Sequence, residues 1–398
     1  MAQLTRRQLT VLILGLMATG IGQSLVFAVL APLGREVHLT EVQITSIIAV
    51  SALVYGLASP HWGRFSDRVG RKPVIITGLL GYAVGTLLFT STFYAGMAGI
   101  LSGTLFYATV LGTRVCQALV MSATNPASTA YAADNTEREQ RTRTMARLGT
   151  ASSMGTILGP AVSGALATLG LLAPLYFAAA LAVVAAFMVW RFLPFTPPQN
   201  RHGYKTTARL RYTDQRISLL LLAAVGLFIG FSGIQQTLGF TLQDKLHLSG
   251  IQTAQLTGAA LMVSATFTFI IQMTVMQRAK LKATQFIRIG LLALLIGAGV
   301  ISTFETFPVL AVGMAFLGSG TALCMPAISA GASLAVEPSE QGAAAGLVAS
   351  CPAIGFSVGP VCAGALYQID PILAPLFSAV VFSAVLLIIT FRDRRPAG

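Results

Sequence analysis

Two apolar stretches, 42–62 and 73–95, are each long enough to cross a bilayer, and between them sits Gly63-Arg-Phe-Ser-Asp-Arg-Val-Gly-Arg-Lys72. A spanning helix needs about 20 apolar residues. Four cations in that short segment, Arg64, Arg68, Arg71 and Lys72, cannot stay in hydrocarbon, so it marks a membrane face. The alternation of apolar stretch and basic loop recurs along the chain. In lipid every backbone polar group must be satisfied internally, which leaves only helices or closed barrels. Barrel strands alternate in hydropathy over ~10-residue segments, whereas these runs are long and unbroken. An all-α integral membrane protein is expected.

Composition agrees. The 398 residues are 55% hydrophobic and 10% charged, with a mean hydropathy of +0.75; soluble domains carry about 25% charged residues. Twelve spans are expected, at approximately 9–33, 42–62, 73–95, 100–132, 144–169, 171–193, 216–241, 253–277, 284–303, 308–335, 342–368 and 371–391. With the N-terminus placed in the cytoplasm, every Lys and Arg falls on that side except Arg35, Lys245 and the intramembrane Arg114. The positive-inside rule therefore expects both termini to be cytoplasmic. Basic loops facing anionic lipid account for the net charge of +13 without nucleic acid. The first apolar run is too long for a cleavable signal and lacks an Ala-x-Ala site. Cys116, Cys324, Cys351 and Cys362 lie within spans, without metal-ligand spacing, as small apolar residues.

A polar stretch, 194–215, divides the spans into two groups of six: a first bundle at 1–193 and a second at 216–398. Pro194, Pro197 and Pro198 stop span 6, and Arg201, Lys205, Arg209 and Arg211 hold the linker at the cytoplasmic face. Gly155-Thr-Ile-Leu-Gly-Pro-Ala-Val-Ser-Gly-Ala-Leu166 recurs as Gly355-Phe-Ser-Val-Gly-Pro-Val-Cys-Ala-Gly-Ala-Leu366, an offset of 200 residues without a gap. At the same offset Pro126-Ala127 pairs with Pro326-Ala327, Ala130 with Ala330 and Glu137 with Glu337. Several positions sharing one offset indicate duplicated halves, and parallel six-helix repeats are a transporter architecture with its site between the repeats.

Within the opening segment, Gly63 lets span 2 approach a neighbour closely, and Gly70 permits a turn that a Cβ would obstruct. Asp67, an acid among four cations, is expected to be paired, and it suits the positive N-terminal end of another helix. A solvated topogenic loop would explain the cations but neither the Asp nor the glycines. Gly63, Asp67, Arg68, Gly70, Arg71 and Lys72 match the pattern Gly-x-Leu-Ala-Asp-Arg-x-Gly-Arg-Lys, with Phe65 and Ser66 as conservative departures. In this the chain resembles the major facilitator superfamily. The resemblance implies the major facilitator fold, twelve transmembrane helices in two pseudo-symmetric six-helix bundles, and a conformational latch. It implies that Asp67 faces the start of span 11 near Gln341-Gly342, and that Arg71 or Arg68 reaches Asp134. The corresponding segment of the second half, Arg278-Ala-Lys-Leu-Lys282, lacks the Asp and glycines, so any latch there is weaker.

Arg114 lies well inside span 4, followed by Gln117, Asn125 and Pro126. An intramembrane cation is functional by default; the alternative is structural, an Arg held by helix-end carbonyls. Arg114-Val-Cys-Gln117-Ala resembles the superfamily's Arg-x-x-Gln-Gly motif, with Ala118 in place of Gly, which in proton-coupled exporters is linked to proton movement. A guanidinium does not deprotonate, so it would tune a partner or bind an anionic group. Gly155, Gly159, Pro160 and Gly164 resemble the helix-5 motif of the superfamily's drug/proton antiporters, with Ser163 at the first of two paired glycines. Gly155 and Gly159 have the spacing for close helix contact, and Pro160 removes a backbone hydrogen bond. The motif is associated with export.

Taken together, the resemblance is to the twelve-span drug/proton antiporter group, a multidrug-efflux-like exporter. It implies a secondary active exporter working by alternating access, proton-coupled, for drug-like or amphipathic molecules. The alternative is a dedicated exporter of one metabolite, such as a siderophore or other neutral or anionic product. The chain is expected to be a monomer in a bacterial cytoplasmic (inner) membrane, to bind a small-molecule substrate and lipid, and not to be an enzyme. No cofactor is expected beyond the proton gradient, and no Walker-type loop occurs. Asp67, Arg71, Asp134 and Arg114 are the candidates for charge relay. Many antiporters of this type carry an acid in span 1, whereas Met17, Ala18 and Thr19 precede Gly20-Ile21-Gly22 here, and all acids fall at span ends or in loops. That disfavours cationic substrates. Candidate cavity residues are Gln23, Arg114, Gln117, Asn125, Gln235 and Gln236, with Gln272 and the aromatics Phe27, Tyr55, Tyr131, Phe231 and Phe267.

Overall fold

The computed structural model describes residues 5–195, 210–279, 281–337 and 340–393. Pro197, Pro198, Arg201, Lys205 and Arg209 of the linker, and Lys280, lie outside these. Among the described residues there are thirteen α-helices, one short 3-10 turn and no strand. The helices are α1 (Arg6–Glu36), α2 (Glu41–Val69), α3 (Arg71–Met97), α4 (Gly103–Met121), α5 (Thr124–Asp134), α6 (Arg138–Leu166), α7 (Ala173–Phe192), α8 (Ser218–Leu246), α9 (Gly250–Arg278), α10 (Ala283–Thr303), α11 (Phe307–Leu334), α12 (Gln341–Ile369) and α13 (Leu373–Asp393). Eleven helical segments among the described residues, counting Gly103–Asp134 as one, are long and apolar enough to cross a membrane. The sequence of α6 begins with an arginine-rich polar half, which keeps it out of that group.

Three sequence expectations are corrected. Gly63–Lys72 is not a loop: α2 runs to Val69 and α3 starts at Arg71, leaving Gly70 alone between them. Its φ of 103° and ψ of 152° are open essentially to glycine only. Span 4 is two helices, broken at Ser122–Ala123. Pro126 has no N–H for the Ser122 carbonyl, and its ring crowds that carbonyl. Span 5 starts earlier than expected, at Arg138, because a polar helix is stable once it emerges from the lipid. Elsewhere the local chemistry sets the ends plainly. Thr5 with Gln8, and Thr40 with Gln43, form reciprocal capping boxes at the starts of α1 and α2.

Two compact units divide the chain, one of 1–201 with 248–259, the other of 202–247 with 260–398. In the first, α1 packs on α6 and α7, α3 on α4, α5 and α7, and α2 on α4 and α5. In the second, α8 packs on α12 and α13, and α10 on α11 and α13. The segment 248–259 joins the first unit because Gly164 and Gly258 leave no side chain in the way. A Cβ at Gly164 would stand 3.3 Å from the Gln255 carbonyl, and one at Gly258 would strike the Pro160 carbonyl.

The sequence repeat is also a repeat of packing. A Cβ at Gly155 would strike the Met17 carbonyl, and one at Gly159 would meet the Ser24 hydroxyl and stand 2.7 Å from the Ile21 carbonyl. In the second unit, Gly355 lies against Phe228, and Gly359 against the Ile229 carbonyl and the Ser232 hydroxyl. Each seam carries a hydroxyl clasp. Ser163 Oγ donates to the Leu25 carbonyl at 3.0 Å, and Ser232 Oγ to the Gly355 carbonyl at 3.1 Å. Small residues four apart bring two backbones together, the chief source of helix association where lipid cancels the hydrophobic drive.

Candidate functional site

At one end of the first unit, Arg71 joins three helices. Its Nε donates to Asp134 Oδ2 at 3.1 Å, reaching the end of α5. Its Nη2 pairs with Asp67 Oδ1, and its Nη1 donates to Ser66 Oγ at 2.5 Å and to the Gly63 carbonyl at 3.3 Å. The Arg71 side chain is 14% exposed, Asp134 16% and Asp67 52%. A guanidinium that serves two carboxylates and two further acceptors fixes the geometry of this corner; a lysine could not supply that fork. Of the two arginines proposed from the sequence, Arg71 is the one on Asp134. Arg68 is exposed and makes no ion pair among the described residues. The rationale for Gly63 changes as well. A Cβ there would sit 3.6 Å from Pro126 Cβ, an ordinary contact, so the approach of α2 to α5 does not itself demand glycine.

Arg114 projects from α4 into the unit and is 5% exposed. Its Nη1 donates to Gln117 Oε1 at 2.5 Å, and its Cζ lies 5.6 Å from the Phe89 ring centroid. Gln117 Nε2 in turn donates to Thr86 Oγ1 at 2.5 Å and to the Tyr82 carbonyl at 3.4 Å. Gly85 makes this possible, since a Cβ there would stand 2.6 Å from Gln117 Cβ. Arg114 and Gln117 are thus brought together, against α3 residues that the sequence reading missed. Tyr82, Thr86 and Phe89 follow an i, i+4, i+7 spacing that puts them on one helix face, the one signal available. The cation makes no ion pair among the described residues. Insertion scales put an intramembrane charge at about 2.5–3.5 kcal/mol, so one cation–π contact and one amide are thin compensation.

A second polar contact in this unit links α2 and α5. Asn125 Nδ2 donates to the Tyr55 hydroxyl at 2.9 Å. Gln23, Tyr55 and Asn125 are all part-buried. Tyr131 is not a lining residue: it is fully buried in a packed cluster with Leu16, Ile75 and Val189. In the second unit, Gln235 Oε1 and Gln236 Nε2 are buried without a hydrogen-bond partner among the described residues. Such orphaned amides are costly, and they are groups a ligand could satisfy.

The second unit has its own ion cluster, at Arg216 rather than at Arg278–Lys282. Arg216 bonds Glu340 through both terminal nitrogens, at 2.7 and 3.1 Å, and Asp214 at 3.1 and 2.9 Å. It ties the start of α8 to the start of α12. Hydrogen bonds from Arg216 hold both carboxyls below the usual carboxylate range. No sequence motif pointed to this cluster, because Arg216 and Glu340 lie 124 positions apart. Among the described residues no group of His, Cys, Asp or Glu could hold a metal ion.

The family model of the Major Facilitator Superfamily matches residues 12–300 and 279–398. The chain belongs to this superfamily. Multidrug resistance protein 1 of Bacillus subtilis is 27% identical over 394 residues, 98% of this chain and 97% of that protein. Quinolone resistance protein NorA of Staphylococcus aureus is 23% identical over 393 residues, covering 98% and 97%. Among solved structures, a bacterial homologue of the human lysosomal transporter Spinster aligns over 97% of this chain and 96% of its own, with a TM-score of 0.77 at 15% identity. The human organic anion transporter MFSD10 covers 96% and 99%, with a TM-score of 0.67 at 22% identity.

Major Facilitator Superfamily membership makes the chain a multi-pass membrane protein for secondary transport of small molecules, and not an enzyme. Within the superfamily pattern Ser66 is a departure, yet it is buried and bonds Arg71. The departure gives the arginine one further acceptor.

Proposed function

We propose that this chain is an exporter of amphipathic, drug-like small molecules, neutral or anionic, that works by alternating access at the expense of the proton gradient. The observation carrying export is the close packing of the α6 residues that resemble the exporter motif, Gly155 and Gly159 against α1 and Pro160 and Gly164 against 248–259. Relatives that bear multidrug and quinolone resistance in their names support the same direction. In this reading Arg71, with Asp67 and Asp134, is the conformational latch, Arg114 links proton to cargo, and Gln23, Asn125, Gln235 and Gln236 offer the cargo amide contacts. In this reading the membrane is a bacterial cytoplasmic membrane, and the distribution of Lys and Arg supports both termini inside.

Charge sets the substrate class. No acid lies within the apolar part of any helix, so among the described residues no buried acid neutralises a cationic drug, while a buried arginine is present. The same observation favours a second reading, a dedicated exporter of one neutral or anionic metabolite. A pump-deficient host, with and without the chain, is exposed to matched cationic, neutral and anionic compounds, and efflux is followed with and without an uncoupler. Uncoupler-sensitive resistance to several neutral or anionic compounds is the expected outcome. Resistance confined to cations, or flux indifferent to the pH gradient, would sink the respective claim. A single endogenous product accumulating in the medium, without resistance, selects the second reading.

A further inference from the structure

Among the described residues, the first unit buries a cation without a counter-ion. Helices α3, α4 and α7 contain no Asp or Glu, nor does 248–259. The acids of the other helices, Glu36, Glu41, Asp67, Asp134 and Glu139, stand at helix ends. Arg114 nevertheless stays charged, because a guanidinium is not deprotonated in proteins. Only its Nη1 is used, on Gln117. The side-on edge, Nε and Nη2, has no hydrogen-bond partner among the described residues, and Nε is buried. A second orphan accompanies it. Tyr82 is 1% exposed, its backbone carbonyl accepts from the Gln117 that bonds Arg114, and its hydroxyl also has no partner among the described residues. That hydroxyl lies over Gly22 of α1, where a Cβ would strike it.

The geometry points to a carboxylate-binding site made by the free edge of Arg114 and the Tyr82 hydroxyl. The edge of a guanidinium presents two parallel N–H donors that match the two oxygens of a carboxylate. The Tyr82 hydroxyl supplies a third donor, and Phe89 flanks the guanidinium with an aromatic wall. Gln117, fixed by Thr86, holds the other side of Arg114 and so aims the unused edge. A single negative charge placed there supplies what the unit lacks. The carboxylate is carried by an organic anion or by a small free acid such as acetate; the inference rests on the transport reading only for the first.

The test is equilibrium binding of radiolabelled benzoate to the purified full chain in detergent. Saturable binding is expected, at least about tenfold weaker in Arg114→Gln and a few-fold weaker in Tyr82→Phe, since each removes charge-assisted or neutral donors worth about that factor. Arg114→Lys keeps the charge but loses the fork, so an intermediate loss is expected. Acetate should displace benzoate, and neutral benzamide should not. Acetate as strong as benzoate identifies a small resident acid, and a much weaker acetate identifies an aromatic or larger cargo; either supports the site. Tyr82→Phe changes one atom, so it reads the site even if Arg114→Gln misfolds. Unchanged affinity in a folded Arg114→Gln, competition by benzamide or chloride equal to that by acetate, or no saturable benzoate binding would overturn it. Efflux of a neutral amphiphile is followed with the unsubstituted chain. Export of that amphiphile with no saturable benzoate binding removes this site alone, whereas saturable benzoate binding with no export of any compound removes the transport reading alone.

Discussion

Arg71 Nε donates to Asp134 Oδ2 at 3.1 Å although the two residues are 63 positions apart. One guanidinium thereby fixes the end of α2, the start of α3 and the end of α5. The ion pair is part-buried, and a charge-assisted hydrogen bond of this kind contributes about 1.5–3 kcal/mol.

Breaking that pair should stop the cycle without emptying the membrane. Asp134→Asn and Asp67→Asn are expected to lower flux in proteoliposomes about tenfold or more, with normal amounts of inserted protein. Arg71→Lys should retain only a fraction, because it cannot reach both carboxylates. Wild-type flux in Asp134→Asn would remove the latch from the mechanism.

Gly70 and Gly63 should behave differently, although both belong to the same motif. Gly70→Ala forces a Cβ into φ 103°, ψ 152° and is expected to cost about 1–3 kcal/mol. Gly63→Ala adds a methyl at an ordinary 3.6 Å contact and should change stability little. Thermal unfolding of the two variants in detergent compares them directly; equal shifts would contradict the backbone argument.

The two glycine seams can be probed in parallel. Gly159→Ala and Gly359→Ala each place a methyl against a neighbouring backbone carbonyl and a serine hydroxyl, and overpacking of this kind costs about 1–3 kcal/mol. Gly346→Ala, with nothing within 4 Å, is the control and should be silent. Melting temperatures and transport rates should fall in the first two alone.

Acid should loosen the Arg216 cluster. Asp214 and Glu340 have folded-state values below their ordinary ones, so their contribution is present above roughly pH 4 and is lost as pH falls through the lowered values. Arg216 is exposed and both acids are only part-buried, so the effect is small and fades with salt. Thermal midpoints measured from pH 7 to pH 3 should drop less in Arg216→Gln than in the wild type, and an identical profile would show that the cluster contributes nothing.

Much of the fold is written in the sequence, because lipid enforces it. Long apolar runs between basic segments must become helices, and glycines repeating at one offset must become repeated seams, as Gly155 with Gly159 and Gly355 with Gly359 show. The resemblance carried by Gly63–Lys72 implied Asp134 as the partner of Arg71 or Arg68, and Arg71 is the one that reaches it. Boundaries were harder to read. Cations inside α2 and α6 look like loops in one dimension, since nothing local distinguishes a polar helix beyond the lipid from a turn.

What the tertiary structure decided is which groups meet across helices. Ser66 on Arg71, Arg216 between Asp214 and Glu340, and Thr86 on the Gln117 that bonds Arg114 combine residues far apart in the chain, or of types too common to stand out. Sequence determined that Arg114 is buried in a membrane and that no acid lies in a neighbouring apolar run. Only the packing of α3 on α4 decided that one edge of its guanidinium is bonded and the other is not, because hydrogen bonding depends on direction, and direction is set by the fold.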